Sequence, residues 1–392
     1  MTLRWRLPAG GVIDRSRPLA FTYDGRRYEG FAGDTLASAL LANGVRLVAR
    51  SFKYHRPRGV YSAGAEEPNA LVQHGRGART EPNTHATTLE LYDGLAARSQ
   101  NCWPSVAFDA GGIANALSPL LPAGFYYKTF MWPPTPRWWL KYEHAIRKAA
   151  GMGRVAAGPD PDRYEHQYAH CDVLVVGGGP AGLAAARAAA ASGARVIVCQ
   201  QSPRFATSAM DVDDTIERCA GTQWVDNVVN ALAANGDVTL LTRTTAFGYY
   251  DGNLVGAVER VTDHLAQPAG HLPRHRMWLI RANAVVLASG VHERGVAYAN
   301  NDLPGTMLAG AAATYVRRYG VRVGTRAVVF ANNDAAYRAA CSMHEADIQV
   351  VAIVDARSAA KLTGAWPERA RAVGLGVHAA SAVVRARGRL HV

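Results

Sequence analysis

The residues with the clearest chemical potential are a glycine cluster, Gly177-Gly178-Gly179-Pro180-Ala181-Gly182, that follows the apolar run Val173-Leu174-Val175-Val176. The G-x-G-x-x-G spacing suits a dinucleotide pyrophosphate. Gly177 allows a tight turn, and Gly179 lets backbone N–H groups come close to phosphate oxygens. Gly182 lets the following helix lie against the strand, so that the positive end of its dipole faces the anion. The same spacing also occurs in glycine turns of other α/β units, so context decides. Here an apolar strand precedes the glycines, an alanine-rich helix follows, Gly193 stops it, and a second apolar strand runs from Ala194 to Cys199.

At the end of that second strand an acidic side chain normally accepts hydrogen bonds from the adenosine ribose. This chain has Gln200 and Gln201 there, with Arg204 close behind. Glutamine still bonds a hydroxyl but does not repel a 2′-phosphate, which Arg204 would favour. Further on, His292-Glu293-Arg294 follow a strand that ends in Ala288-Ser289-Gly290. Loops at the carboxyl ends of such strands line the ligand crevice, which makes Ser289, Gly290, Glu293 and Arg294 candidate cofactor contacts. The alternative for Glu293 and Arg294 is an exposed ion pair of small energetic weight.

A second candidate group is basic: Lys53, His55, Arg56 and Arg58, interleaved with Tyr54. Cations of this kind are what a flavin phosphate at a subunit interface requires; the alternative is a solvated basic loop. Asn300, Asn301 and Asp302 precede a Pro-Gly turn and a helix and read as caps. No Ser/His/Asp, Cys/His or paired-carboxylate arrangement stands at an informative spacing, so no catalytic residue is assigned.

The elements that position these residues fall into three regions. Residues 1–100 read as a β-grasp module. Leu19–Tyr23, the Asp24-Gly25 turn and Arg26–Gly30 form a hairpin, and Asp34–Gly44 is a helix with an acidic cap and an Asn-Gly stop. Residues 101–168 are a connector rich in Trp and Pro, Met131-Trp-Pro-Pro-Thr-Pro-Arg-Trp-Trp139, in which successive prolines forbid regular structure. Its tryptophans suit either a domain seam or a docking surface. Residues 169–392 form the nucleotide domain, with strands at Val238–Leu241, Asn253–Val261, Ala284–Gly290 and from Arg326. The last of these runs into Asn332-Asn333-Asp334, without the glycines of a second fingerprint. One conventional dinucleotide site is therefore expected.

At 392 residues and 49% hydrophobic content the chain is globular, with room for two or three domains. Its net charge of +12 rests almost wholly on scattered arginines, without a basic tail or an aromatic-basic repeat. No nucleic-acid partner is expected from that pattern. The Ala-rich run Ala181–Ala191 is too short to span a bilayer, and no apolar leader follows Arg4 and Arg6. The five cysteines are dispersed and match no metal-ligand spacing, so no metal site is expected. Together these traits point to a soluble cytoplasmic protein with no membrane partner.

Four strings carry a family resemblance: Ser51-Phe-Lys-Tyr-His-Arg-Pro-Arg-Gly59, Glu66-Glu-Pro-Asn-Ala-Leu71, Thr244-Thr-Ala-Phe-Gly-Tyr-Tyr-Asp251 and Ala299-Asn-Asn-Asp-Leu-Pro-Gly-Thr-Met-Leu308. The chain resembles the α subunit of heterotetrameric sarcosine oxidase, whose relatives include the large subunits of opine and D-proline dehydrogenases and of hydrogen cyanide synthase. The resemblance implies an α/β fold, with a ferredoxin-like β-grasp domain ahead of a Rossmann-like FAD/NAD(P)-binding domain. It implies an oxidoreductase acting on sarcosine in one-carbon metabolism, with β, γ and δ subunits as partners and tetrahydrofolate as the one-carbon acceptor. Amine oxidation then belongs to another subunit. This chain contributes NAD binding, or FAD at the same site, and part of an FMN site shared with a partner, to which Lys53, His55, Arg56 and Arg58 are assigned.

The chain also departs from the family. Residues 18–100 contain no cysteine, so four thiolates for a [2Fe–2S] cluster are lacking and the module is expected to be a scaffold. The family's Gly-Gly beside the cofactor is Ala206-Thr207 here, and Ser289 replaces a threonine common in related flavoproteins. The folate-binding domain is missing, and the chain ends within a β-patterned stretch, as a fragment or short form with an exposed sheet edge. Two other readings remain: a self-contained NAD(P)H-dependent flavin reductase, and a nonenzymatic assembly scaffold with a degenerate nucleotide site.

Overall fold

The computed structural model describes residues 3–120, 124, 132–208 and 214–392. Met131, at the head of the Trp/Pro string, and residues 121–123 and 125–130 of the expected connector lie outside the described residues. The chain divides into two compact units, one of residues 1–160 with 293–392 and the other of residues 161–292.

The first unit begins with β1 (Asp14–Tyr23) and β2 (Arg26–Ala32), antiparallel about the Asp24-Gly25 turn. Both turn residues have positive φ, as a two-residue hairpin of this hand requires. Every residue of α1 (Leu36–Ala42) is buried. Its cap is Thr35, in a capping box with Ser38, and not the acidic residue expected from sequence. Asp34 is instead drawn into a buried pair with Arg6, whose Nη2 lies 2.6 Å from Oδ2, and it also accepts from Ser38 Oγ at 2.6 Å. An ionised carboxylate this deeply buried needs a cation more than the helix needs a charged cap.

Three further strands, β3 (Leu71–His74), β4 (Glu81–His85) and β5 (Ala96–Ser99), complete a five-stranded sheet in the order β2-β1-β5-β3-β4. β1 and β5 run parallel at its centre while the other pairs are antiparallel, which is the β-grasp arrangement.

Within residues 101–160 regular structure does form. A helix, α2 (Pro136–Ala150), starts with a proline in its first turn, the helical position where a missing N–H costs nothing. The prolines at 133 and 134 therefore delay the helix without forbidding it. Trp132 is 79% exposed.

The second unit is a six-stranded sheet of β6 (Tyr164–Val176), β7 (Val196–Cys199), β8 (Val238–Leu241), β9 (Thr244–Tyr250), β10 (Leu254–Arg260) and β11 (His275–Leu287). The order is β8-β7-β6-β11-β10-β9. The first four strands are parallel, and β10 and β9 close the far edge as an antiparallel hairpin. Alternation along β7 sends Val196 and Val198 to one core with α3 (Pro180–Ala191) and α4 (Gly221–Ala233), and Ile197 and Cys199 to the other with Val255 and Ile280. Cys171 and Cys199 are core residues; burial raises their thiols to about 11 and about 12, so neither is a nucleophile at neutral pH.

Residues 293–392 add α5 (Ala309–Arg317), β12 (Arg326–Ala331), α6 (Ala335–Glu345), β13 (Gln349–Asp355), α7 (Ala365–Ala372) and β14 (Val377–His378) to the first unit. The three strands form a parallel sheet in chain order. Tyr315 of α5 is fully buried in the β-grasp core and donates its hydroxyl to Ser62 O at 2.9 Å. After His378 no further strand forms; Arg385 makes an isolated bridge to Ala299. No helix among the described residues is long and apolar enough to cross a membrane.

Candidate dinucleotide site

Strand order reverses on either side of β6, and the glycine turn leaves that strand's carboxyl end. This is the switch point at which open α/β sheets hold ligands. Gly177 has φ +107°, and a Cβ on it would collide with Ala288 O. Ala288 N donates to Val176 O at 2.8 Å, so the end of β11 lies directly against the turn. A Cβ on Gly182 would collide with Gly177 O, which is why α3 approaches its own turn so closely. Gly179 differs: a Cβ there meets no atom within 4 Å. It caps α3 without any side-chain bond, and Pro180 follows in the first turn. The helix thus presents the backbone amides of Ala181 and Gly182 at an open approach, which fits a pyrophosphate.

Gly178 ties this turn to the loop after β7. Its N–H donates to Gln200 Oε1 at 2.8 Å, and its carbonyl accepts from Ala206 N at 2.6 Å. Phe205 packs where a Gly178 side chain would stand. Ala206 is buried at φ +46°, in the left-handed region that favours glycine. Gln201, Arg204, Ser289 and Gly290 are exposed at the same end of the sheet or in the loops leaving it.

Glu293 and Arg294 belong to the other compact unit. There the Glu293 carboxylate caps α5, accepting from Ala309 N at 3.1 Å and Gly310 N at 2.9 Å. Asn300 and Asp302, read as caps from sequence, do not cap that helix. The second strand-to-helix turn is filled by its own side chains, since Asn333 Oδ1 accepts from Ala335 N at 3.0 Å and Asp334 receives Arg357 Nη1 at 2.8 Å.

The basic group 53–58 is organised around a carboxylate that sequence spacing cannot reveal. Arg56 grips Asp302 with two bonds, Nε to Oδ2 at 2.6 Å and Nη2 to Oδ1 at 2.7 Å, and Arg58 Nη1 donates to the same carboxylate. Arg56 Nη2 also reaches Asn300 Oδ1 at 3.1 Å. Burial works to raise the Asp302 carboxyl, but the two arginines hold it at about 2. His55, at φ +51°, places Nδ1 2.7 Å from Asp109 Oδ2, and Lys53 Nζ sits 4.9 Å from the centre of the Tyr54 ring.

The fold and the glycine turn define the class: a ferredoxin-like β-grasp domain joined to a Rossmann-like domain of the FAD/NAD(P)-binding oxidoreductases. Residues 16–102 match the family described as 2Fe-2S iron-sulfur cluster binding domain, and residues 172–250 match FAD dependent oxidoreductase. Within that class the chain is a homologue of part of the sarcosine oxidase α subunits. It is 54% identical to sarcosine oxidase subunit alpha of Rhizobium meliloti (strain 1021) over 91% of this chain and 36% of that protein. It is 40% identical to the subunit alpha of Corynebacterium sp. (strain P-1) over 95% of this chain and 34% of that protein. The chain thus spans about a third of the length of these curated relatives. Its fold is similar to that of L-proline dehydrogenase from P. horikoshii, with a TM-score of 0.58 at 18% identity, covering 88% of this chain and 55% of that one.

The iron–sulfur match does not extend to the ligands. Cys102 is the single thiol in residues 16–102, and among the described residues no cluster of three or more His, Cys, Asp or Glu is placed to hold a metal. One thiolate cannot hold a [2Fe–2S] cluster, so the donor set does not fit the cofactor that the domain's name implies.

Proposed function

We propose that this chain is part of the α subunit of a multisubunit flavin-dependent amine oxidoreductase, with sarcosine as the substrate of the complex. The observation that carries the reading is the 54% identity to a sarcosine oxidase α subunit over 91% of the chain. In this reading the turn Gly177–Gly182, with Gln200, Gln201, Arg204, Ser289 and Gly290, holds a dinucleotide, NAD or FAD. The bound dinucleotide would supply redox or structural chemistry; the chain's own part is to orient it through the amides of Ala181 and Gly182. Lys53, His55, Arg56 and Arg58 contribute to an FMN site shared with a partner subunit. The two arginines share one carboxylate, which leaves the loop a net positive charge for a phosphate. Amine oxidation takes place on a β subunit, γ and δ subunits complete a cytoplasmic heterotetramer, and tetrahydrofolate accepts the one-carbon unit.

Co-expression with candidate partner subunits tests this directly. The expected result is a stable complex that carries flavin and consumes oxygen when sarcosine is supplied. A chain that stays monomeric beside those partners, or that reduces flavin with NADH unaided, overturns the reading.

A further inference from the structure

The adenosine-ribose end of a dinucleotide site decides between NAD and NADP, and a carboxylate there selects against a 2′-phosphate by charge. This chain carries an amide instead, and its orientation is set. Gln200 Oε1 is engaged by Gly178 N–H at 2.8 Å, so the side chain offers its Nε2 donors, and no negative charge, to a group at the end of β7. From Gln200 to Ser208 there is no acidic residue, while Ser202 and exposed Arg204 lie within that stretch. One more arginine approaches the same loop, since Arg260 Nη2 donates to Gln201 O at 3.1 Å.

We propose that the dinucleotide held at this turn carries a phosphate on the adenosine 2′-oxygen, and so is of the NADP class. Gln200, Ser202 and Arg204 read that phosphate by hydrogen bonds, and Arg260 adds positive field. This rests on the dinucleotide reading of the Gly177–Gly182 turn given above and puts NADP in place of NAD or FAD as its ligand.

The test is calorimetric titration of the full 392-residue chain with NADP+, NAD+, FAD, 2′,5′-ADP and 5′-ADP. NADP+ is expected to bind at least about tenfold more tightly than NAD+, and 2′,5′-ADP more tightly than 5′-ADP, since each charge-assisted bond contributes on this scale. Arg204→Ala is expected to weaken NADP+ about tenfold more than it weakens NAD+. Gln200→Glu keeps the bond to Gly178 and reverses the preference. NAD+ binding as tightly as NADP+, or FAD binding alone, overturns the 2′-phosphate inference while the dinucleotide site stands. Binding of none of the five overturns the site itself, and the inference with it.

Discussion

Arg56 and Asp302, 246 residues apart in the chain, form a bidentate pair at 2.6 and 2.7 Å, and Arg58 donates to the same carboxylate. The pair pins the 51–58 loop to the segment ahead of α5 and holds the Asp302 carboxyl at about 2, below its ordinary value of 3.8. A carboxylate depressed in the folded state contributes stability above its unfolded pKa and loses it as pH falls toward the folded one. Asp302→Asn is therefore expected to cost about 1 kcal/mol between pH 5 and 8, after allowance for solvent screening. The gap to the parent chain should narrow below about pH 4. Urea denaturation of both proteins across that range measures it; a gap independent of pH would refute the assignment.

Gly179→Ala separates fold from binding. Its Cβ would touch no protein atom, so the melting temperature should stay within about 2 °C of the parent, the small effect expected away from packed sites. Nucleotide affinity should drop at least about tenfold, because the methyl occupies the approach to the helix amides. Gly182→Ala, which collides with Gly177 O, should lose both stability and binding. Calorimetry and thermal melts on the two variants read the contrast.

Ala206 sits at φ +46° in a buried loop. A left-handed alanine stores about 1 kcal/mol that glycine does not. Ala206→Gly is accordingly expected to stabilise the chain by about that amount, less the entropy glycine gains when unfolded. A destabilised variant, by denaturant midpoint, would show that the buried methyl outweighs the backbone strain.

Anaerobic reconstitution with iron and sulfide should leave the chain without the visible absorption of a [2Fe–2S] centre. One thiol, Cys102, stands where four are needed, and burial raises even that thiol's pKa, with a Ser99 hydrogen bond working against the rise. Iron bound stoichiometrically with such a spectrum would contradict the donor count.

The glycine turn was legible because its signal is local. Alternation and helical period mark β6 and α3, and Gly177 and Gly182 stand where a side chain would strike backbone. The hairpin about Asp24-Gly25 was legible for the same reason. The sequence reading missed β9 (Thr244–Tyr250), whose polar-aromatic mixture carries no clean alternation, and placed the α1 cap one residue early, at Asp34. It also read the prolines before α2 as forbidding structure, although Pro136 sits at a permitted helical start.

Glu293, Gln200 and Asp302 mark the limit of such reading. Composition and spacing identify them as polar residues near loops but do not assign partners, since hydrogen bonds and ion pairs form across segments brought together only by folding. By itself the sequence determined the kinds of element, the glycine-rich turn between β6 and α3 and the lack of cluster thiols, all properties of residue type and short-range spacing. Only the tertiary structure decided that Glu293 caps α5, that Gln200 spends its carbonyl on Gly178, and that Arg56 and Arg58 share Asp302. Those choices follow from burial and charge, because each polar group withdrawn from water must find its complement wherever the fold brings one within reach.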